Sequence, residues 1–229
     1  MRAAVGLLCG LLACFFMAGT ALADPIDLWE NFPDTQGDNS FWALSLPWNN
    51  TGEGSYIKMD DMGAYMFGTA NETVANVPYI YRGDDPRIRM YPSADGGANG
   101  TGLEYANPIY TYKVLEAGTG MVDITGTFEK GGTGDTHVFV KHNTEFLWNH
   151  TFMFSDPVGT QANFTLSDVM LNVKDEIYFG VGCGGSQKNF NDLTFLSGRI
   201  NAVPEPVSCV LFLVGAGVFG AAARKRRKV

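Results

Sequence analysis

Across residues 121–128, apolar and polar side chains take turns with a period of two. Val122, Ile124, Gly126 and Phe128 fall on one side, and Met121, Asp123, Thr125 and Thr127 on the other. A strand sends successive side chains to opposite faces, so such a segment buries one face and wets the other. Ile177, Phe179 and Val181 repeat the pattern, opposed by Glu176, Tyr178 and Gly180. No stretch between the two ends sustains a helical period. Further strands are predicted at 41–46, 55–59, 65–69, 79–82, 88–91, 109–115, 136–141, 145–154, 162–166 and 192–200. Asp84-Asp85-Pro86, residues 96–100 and residues 131–135 punctuate them, the last read as a hairpin turn. Many short strands with such turns make an all-β chain, an antiparallel β-sandwich.

The two ends follow other rules. Arg2, an apolar run over residues 3–17 and Ala21-Leu22-Ala23 form a signal peptide, 1–23, for signal peptidase to remove after Ala23. An uncleaved anchor, or a lipoprotein signal at Cys14, are the alternatives. At the other end, Val203-Pro204-Glu205-Pro206 precedes an uncharged run, 207–223, and then Arg224-Lys225-Arg226-Arg227-Lys228. A helix over 207–223 would be about 25 Å long, the short end of a transmembrane helix. Basic residues stay cytoplasmic during insertion, which places everything before residue 207 outside.

These ends resemble those of bacterial PEP-CTERM proteins. The resemblance rests on Val203, Pro204, Glu205 and Pro206, the glycines Gly215, Gly217 and Gly220, and the basic cluster. It covers residues 203–229 and implies a sorting signal handled by an exosortase. It further implies export and delivery of a membrane-anchored precursor, whose mature body reaches the cell surface or extracellular matrix.

Without both signals about 180 residues remain, 24–202, enough for one domain with a real core. They carry ten Lys and Arg against 23 Asp and Glu, a net charge near −13. That balance argues against nucleic acid, which needs a basic face. Of four cysteines only Cys183 lies in this body, so no internal disulfide staples it. Its setting, Gly182-Cys183-Gly184, reads as a structural thiol at the end of a strand.

From about Val77 to Ile200 the body resembles a planctomycete-type jelly-roll module related to carbohydrate-binding modules. Pro78-Tyr79-Ile80, Met90-Tyr91-Pro92, Tyr112-Lys113-Val114, residues 120–128, Gly134-Asp135 with residues 137–140, and residues 191–195 carry the resemblance. Met90-Tyr91-Pro92 stands where the pattern often has a histidine before proline. The resemblance implies a jelly-roll-like sandwich, an accessory module that binds sugar and has no catalytic machinery.

The residues agree in offering no catalytic set. His137 and His142 have an odd separation and fall on opposite faces of a strand. No H-E-x-x-H, C-x-x-C or G-x-S-x-G occurs, so no metal site or nucleophile elbow is read. The adjacent pairs Asp60-Asp61, Asp84-Asp85 and Asp175-Glu176 suit solvated turns and strands better than a glycosidase pair. No cofactor is expected. Residues 34–39 and 189–192 would suit a structural calcium, though neither completes a calcium loop.

Sugar binding would rely on aromatic rings stacking on the C–H face of a pyranose. Trp48, in the loop Pro47-Trp48-Asn49, is the first candidate, with core capping the equal alternative; Tyr91, before Pro92, is the second. Trp148 reads as core. Three functions follow in order: a non-catalytic protein that binds extracellular polysaccharide, a matrix or adhesion component without a defined ligand, and a jelly-roll glycan-cleaving enzyme.

Overall fold

The computed structural model describes residues 24–45, 57–62, 66–68, 78–92, 108–115, 120–183 and 193–203. The signal peptide, Trp48, residues 184–192 with the calcium candidate at 189–192, and the tail from Pro204 onward lie outside the described residues. Among the described residues no helix is long and apolar enough to cross a membrane. A compact unit runs from Pro25 to Asn201; the second unit, drawn from the two ends, is almost wholly outside the description.

Fourteen strands follow one another in the described residues: β1 (Ile26–Asp27), β2 (Phe41–Ser45), β3 (Ile57–Lys58), β4 (Asp60–Asp61), β5 (Met66–Gly68), β6 (Tyr79–Arg82), β7 (Ile88–Tyr91), β8 (Pro108–Lys113), β9 (Gly120–Lys130), β10 (Thr136–His142), β11 (Glu145–Phe152), β12 (Gln161–Leu171), β13 (Glu176–Cys183) and β14 (Thr194–Ala202). The sole helical element among them is a short 3-10 turn, Asp38–Ser40. One sheet has the order β12-β9-β14-β7-β6-β5-β4, with β1 also paired to β14; the other has the order β11-β10-β13-β8-β2-β3. All strand pairings with a described register are antiparallel. From β7 onward the strands set β7-β14-β9-β12 against β8-β13-β10-β11, the nested order of a jelly roll.

The alternation read from the sequence is what packs the sandwich. Val122, Ile124 and Phe128 of β9 meet Val138 and Val140 of β10, and Ile177, Phe179 and Val181 of β13, in one core. Tyr110 is fully buried there, stacked on Phe41 at 4.9 Å and on Phe32 at 5.4 Å. Its hydroxyl donates to the Leu28 carbonyl at 3.1 Å, so the one polar atom of that ring is not left unsatisfied. Trp148, half-buried, packs against the same core beside Phe128.

Three expectations change. The 131–135 turn joins β9 in one sheet to β10 in the other, so it is a crossover between layers and not a hairpin. The opposite face of β13 is not wet: Tyr178 is buried with Ile109 and Phe139 in a second small cluster. The strand expected at 162–166 continues to Leu171 through a bulge between Leu166 and Val169. Asp168 sits there at φ 58°, its N–H donating to the Asp123 carboxylate at 3.0 Å. The extra residue moves the buried positions from Ala162 and Phe164 to Leu171, from even numbers to odd, which hides the strand from a period-two reading.

Candidate functional site

The outer face of the larger sheet carries the most organised set of polar and aromatic side chains. In the β6–β7 hairpin Ile80, Ile88 and Met90 point into the core, so Tyr79, Tyr81, Arg89 and Tyr91 must point outward. Tyr79 pairs with Tyr91 and Tyr81 with Arg89, and on β14 Phe195 pairs with Arg89. Register alone therefore brings five outward side chains into neighbouring positions.

The side chains use that placement. The rings of Tyr79 and Tyr91 stack at 4.8 Å and 20°, and Tyr79 lies 5.7 Å from Tyr81. Arg89 donates through Nη1 to the Tyr81 hydroxyl at 2.7 Å and approaches Asp85 at 3.4 Å. Arg87 lies 4.2 Å over the Phe195 ring, and Arg89 5.8 Å from it. Arg87 also pairs with Asp85 and, at 2.7 Å, with Glu129 of β9. The result is one ladder, Tyr91–Tyr79–Tyr81–Arg89–Phe195–Arg87–Glu129, crossing four strands. Cation–π contacts of this kind contribute about 0.5–1 kcal/mol each at exposed sites.

The hairpin turn makes room for it. A Cβ on Gly83 would come within 2.6 Å of the Asp85 carboxylate and 2.9 Å of Arg89 Nε, so any larger residue would push both out of place. Burial, followed by the neighbouring Tyr91 and Tyr81, pushes the Tyr79 hydroxyl up to about 12. Asp85 moves the other way: burial would raise it, but the hydrogen bond and charge of Arg87 hold it below its usual range. The hydrogen bond to Tyr81, then Asp85, raises Arg89 further. At neutral pH the ladder thus keeps Tyr79 as a neutral phenol, Arg89 as a guanidinium and Asp85 as a carboxylate. It offers flat apolar rings edged by donors and acceptors, without a nucleophile next to a base.

Of the residues picked from the sequence, Tyr91 lies in this ladder and Trp48 lies outside the described residues. The partners Tyr79, Tyr81 and Arg89 left a readable mark: Tyr79-x-Tyr81 and Arg89-x-Tyr91 flank Ile80 and Met90 on either side of one turn. Phe195 and Glu129 left none, because only the strand order brings them alongside. Among the described residues no three His, Cys, Asp or Glu side chains gather as metal ligands.

Residues 202–227 match the family model described as the PEP-CTERM protein-sorting motif. The chain carries a PEP-CTERM sorting motif. It takes in Val203, Pro204, Glu205, Pro206 and four of the five basic residues, Arg224, Lys225, Arg226 and Arg227, leaving Lys228 just beyond the match. A PEP-CTERM motif implies an exported, sorted protein processed by an exosortase. No curated protein matches the chain. Among solved structures it is similar to the K3 cleaved adhesin domain of Lys-gingipain from Porphyromonas gingivalis, at 11% identity and a TM-score of 0.42, over 80% of this chain and 100% of that one. A carbohydrate-binding module described for specific mannan recognition, TmCBM27, gives 11% identity and a TM-score of 0.37, over 80% and 98%. At such TM-scores the likenesses are loose.

Proposed function

We propose that this PEP-CTERM protein is a non-catalytic, surface-sorted carbohydrate binder, with the tyrosine–arginine ladder on the outer face of the larger sheet as its binding platform. The observation that carries this reading is the Tyr79–Tyr91 pair, two half-buried rings held side by side on a rigid sheet. Rings fixed in advance lose little freedom on binding, so more of the stacking energy appears as affinity. The sorting motif supports the same reading, since export places this face where extracellular polysaccharide is available. Trp48 is proposed as an additional stacking residue. The membrane-anchored precursor, the cleaved signal peptide and the released body on the cell surface or in the matrix belong to the same proposal.

A second reading has an observation in its favour. Arg87 and Arg89 are already paired with Asp85 and Glu129, as they would be in a ladder that only stiffens a structural or adhesive protein. A glycan array with the full chain in detergent separates the two. Binding that falls about tenfold or more in Tyr91→Ala or Tyr79→Ala supports the platform. Binding untouched by either change, or lost only in Trp48→Ala, moves the site elsewhere.

A further inference from the structure

Beside the ladder, the same sheet face holds an open cavity of about 490 Å³ between β1, the β6–β7 turn, β9 and β14. That volume falls in the range that houses small ligands. Asp27, Arg87, Thr125, Ser197 and Arg199 line it, an array of two hydroxyls, one carboxylate and two guanidinium groups. Arg87 belongs both to this cavity and to the ladder, so the two are continuous.

The two arginines differ in what they have left to give. Arg87 uses Nε and Nη2 on Asp85 and Nη1 on Glu129. Arg199 touches Asp27 only through Nε, at 3.3 Å, and its side chain is 64% exposed. Its two terminal nitrogens have no partner among the described residues. A guanidinium with free terminal N–H groups is matched in geometry and charge by a carboxylate, held by two parallel hydrogen bonds. Two of the four arginines between the targeting segments, Arg87 and Arg199, line this cavity. The acidic charge of the rest of the body is screened beyond roughly 8 Å at physiological salt, so contacts inside the cavity are decided by these groups.

We infer that this cavity is a subsite for a carboxylated sugar, a hexuronate unit of an anionic polysaccharide, whose carboxylate is taken by Arg199 and whose hydroxyls are taken by Asp27, Thr125 and Ser197. The inference rests on the carbohydrate-binding reading above and adds the class of sugar. Neighbouring units of the same polymer would then run across Arg87 onto the tyrosines.

Calorimetric titration of the full chain with an oligogalacturonate and with the matched neutral galacto-oligosaccharide tests it. The oligogalacturonate should bind about tenfold or more tighter, and 0.5 M salt, roughly a threefold rise over physiological ionic strength, should weaken it alone. Arg199→Gln should cut its affinity by roughly 10- to 100-fold and leave the neutral sugar unchanged, while Arg199→Lys should retain part of it. Equal affinity for the two sugars, or a uronate preference that survives Arg199→Gln, overturns the subsite. A neutral ligand on the glycan array that is lost in Tyr91→Ala, with no uronate preference, overturns the subsite and leaves the platform standing. An array without any ligand overturns both.

Discussion

Tyr79 and Asp175 show how single side chains tie the fold to pH, at opposite ends of the scale. Tyr79, with its hydroxyl raised to about 12, keeps its proton when an unfolded tyrosine, near 10, has lost it. The native state then holds more protons than the unfolded one, and stability falls as pH rises from about 10 to about 12. Ultraviolet titration of the phenols should find several late-ionising tyrosines, because burial also raises Tyr110 and Tyr112, and Tyr91→Phe should bring down the Tyr79 component alone, because Tyr91 is part of its upward push. Late components that all stay in place in Tyr91→Phe would show that Tyr91 takes no part in raising Tyr79. Asp175 is the acid counterpart. Burial would raise its pKa, but donation from Asn143 Nδ2 at 2.9 Å and the Asn172 N–H at 2.8 Å, with His142 at 3.0 Å, holds it at about 2. This carboxylate links the β10–β11 turn to the β12–β13 turn. Its contribution is complete above the ordinary value of 3.8 and is lost as pH falls through about 2. Asp175→Asn should therefore flatten the acid limb of a stability–pH curve measured by urea unfolding, and Asp175→Ala should cost about 1–3 kcal/mol at pH 7.

At the scale of strands, β10 and β13 are fitted to each other at one point. Phe139 pairs directly with Gly180, and its ring covers the glycine so closely that a Cβ there would fall 2.0 Å from the ring. Phe139 is itself buried, so it has little room to retreat. Gly180→Ala should cost about 1–3 kcal/mol by overpacking. Most of that cost should vanish in a Phe139→Leu background, since the two changes share one contact. A double-mutant cycle with additive losses would show that the glycine is required for another reason. This contact also marks what could be read in advance. The strands at 79–82 and 88–91 have the expected bounds, because Ile80, Ile88 and Met90 alternate cleanly with outward Tyr79, Tyr81, Arg89 and Tyr91. Period two fails where the backbone adds a residue, as at Asp168, or where both faces are covered, as on β13 with Phe179 inside and Tyr178 outside. It is silent on which sheet a strand joins, so the 131–135 turn reads as a hairpin although it crosses between the two sheets. The same silence hides Phe195 and Glu129, more than 30 residues from the hairpin they complete. Half of the ladder was legible from local alternation, and the other half depends on the jelly-roll order.

The whole molecule combines two physical regimes in one chain. Residues 24–202 are acidic, carry Cys183 as their sole cysteine and have a core that must hold through packing alone. Residues 207–223 are uncharged and lead into five basic residues, the pattern on which the proposed membrane-anchored precursor rests. Between them stands Pro204-Glu205-Pro206, whose prolines each lack an N–H and fix their own φ, inside the matched sorting motif. In cells that make an exosortase, Pro204-Glu205-Pro206→Ala-Ala-Ala should leave the tail attached. Intact-mass measurement should then find the uncut chain in the membrane fraction, with the wild-type body trimmed near the motif and outside the cell. Reversing the basic cluster, with Arg224, Lys225, Arg226, Arg227 and Lys228 all changed to Glu, should also block trimming. It acts by a different route, removing the cytoplasmic anchor that holds the motif on the outer side. If the alanine variant is trimmed and released like the wild type, the body leaves the membrane without using the motif. In that case another segment of the chain directs the release, and the ladder still meets its polysaccharide on a released body.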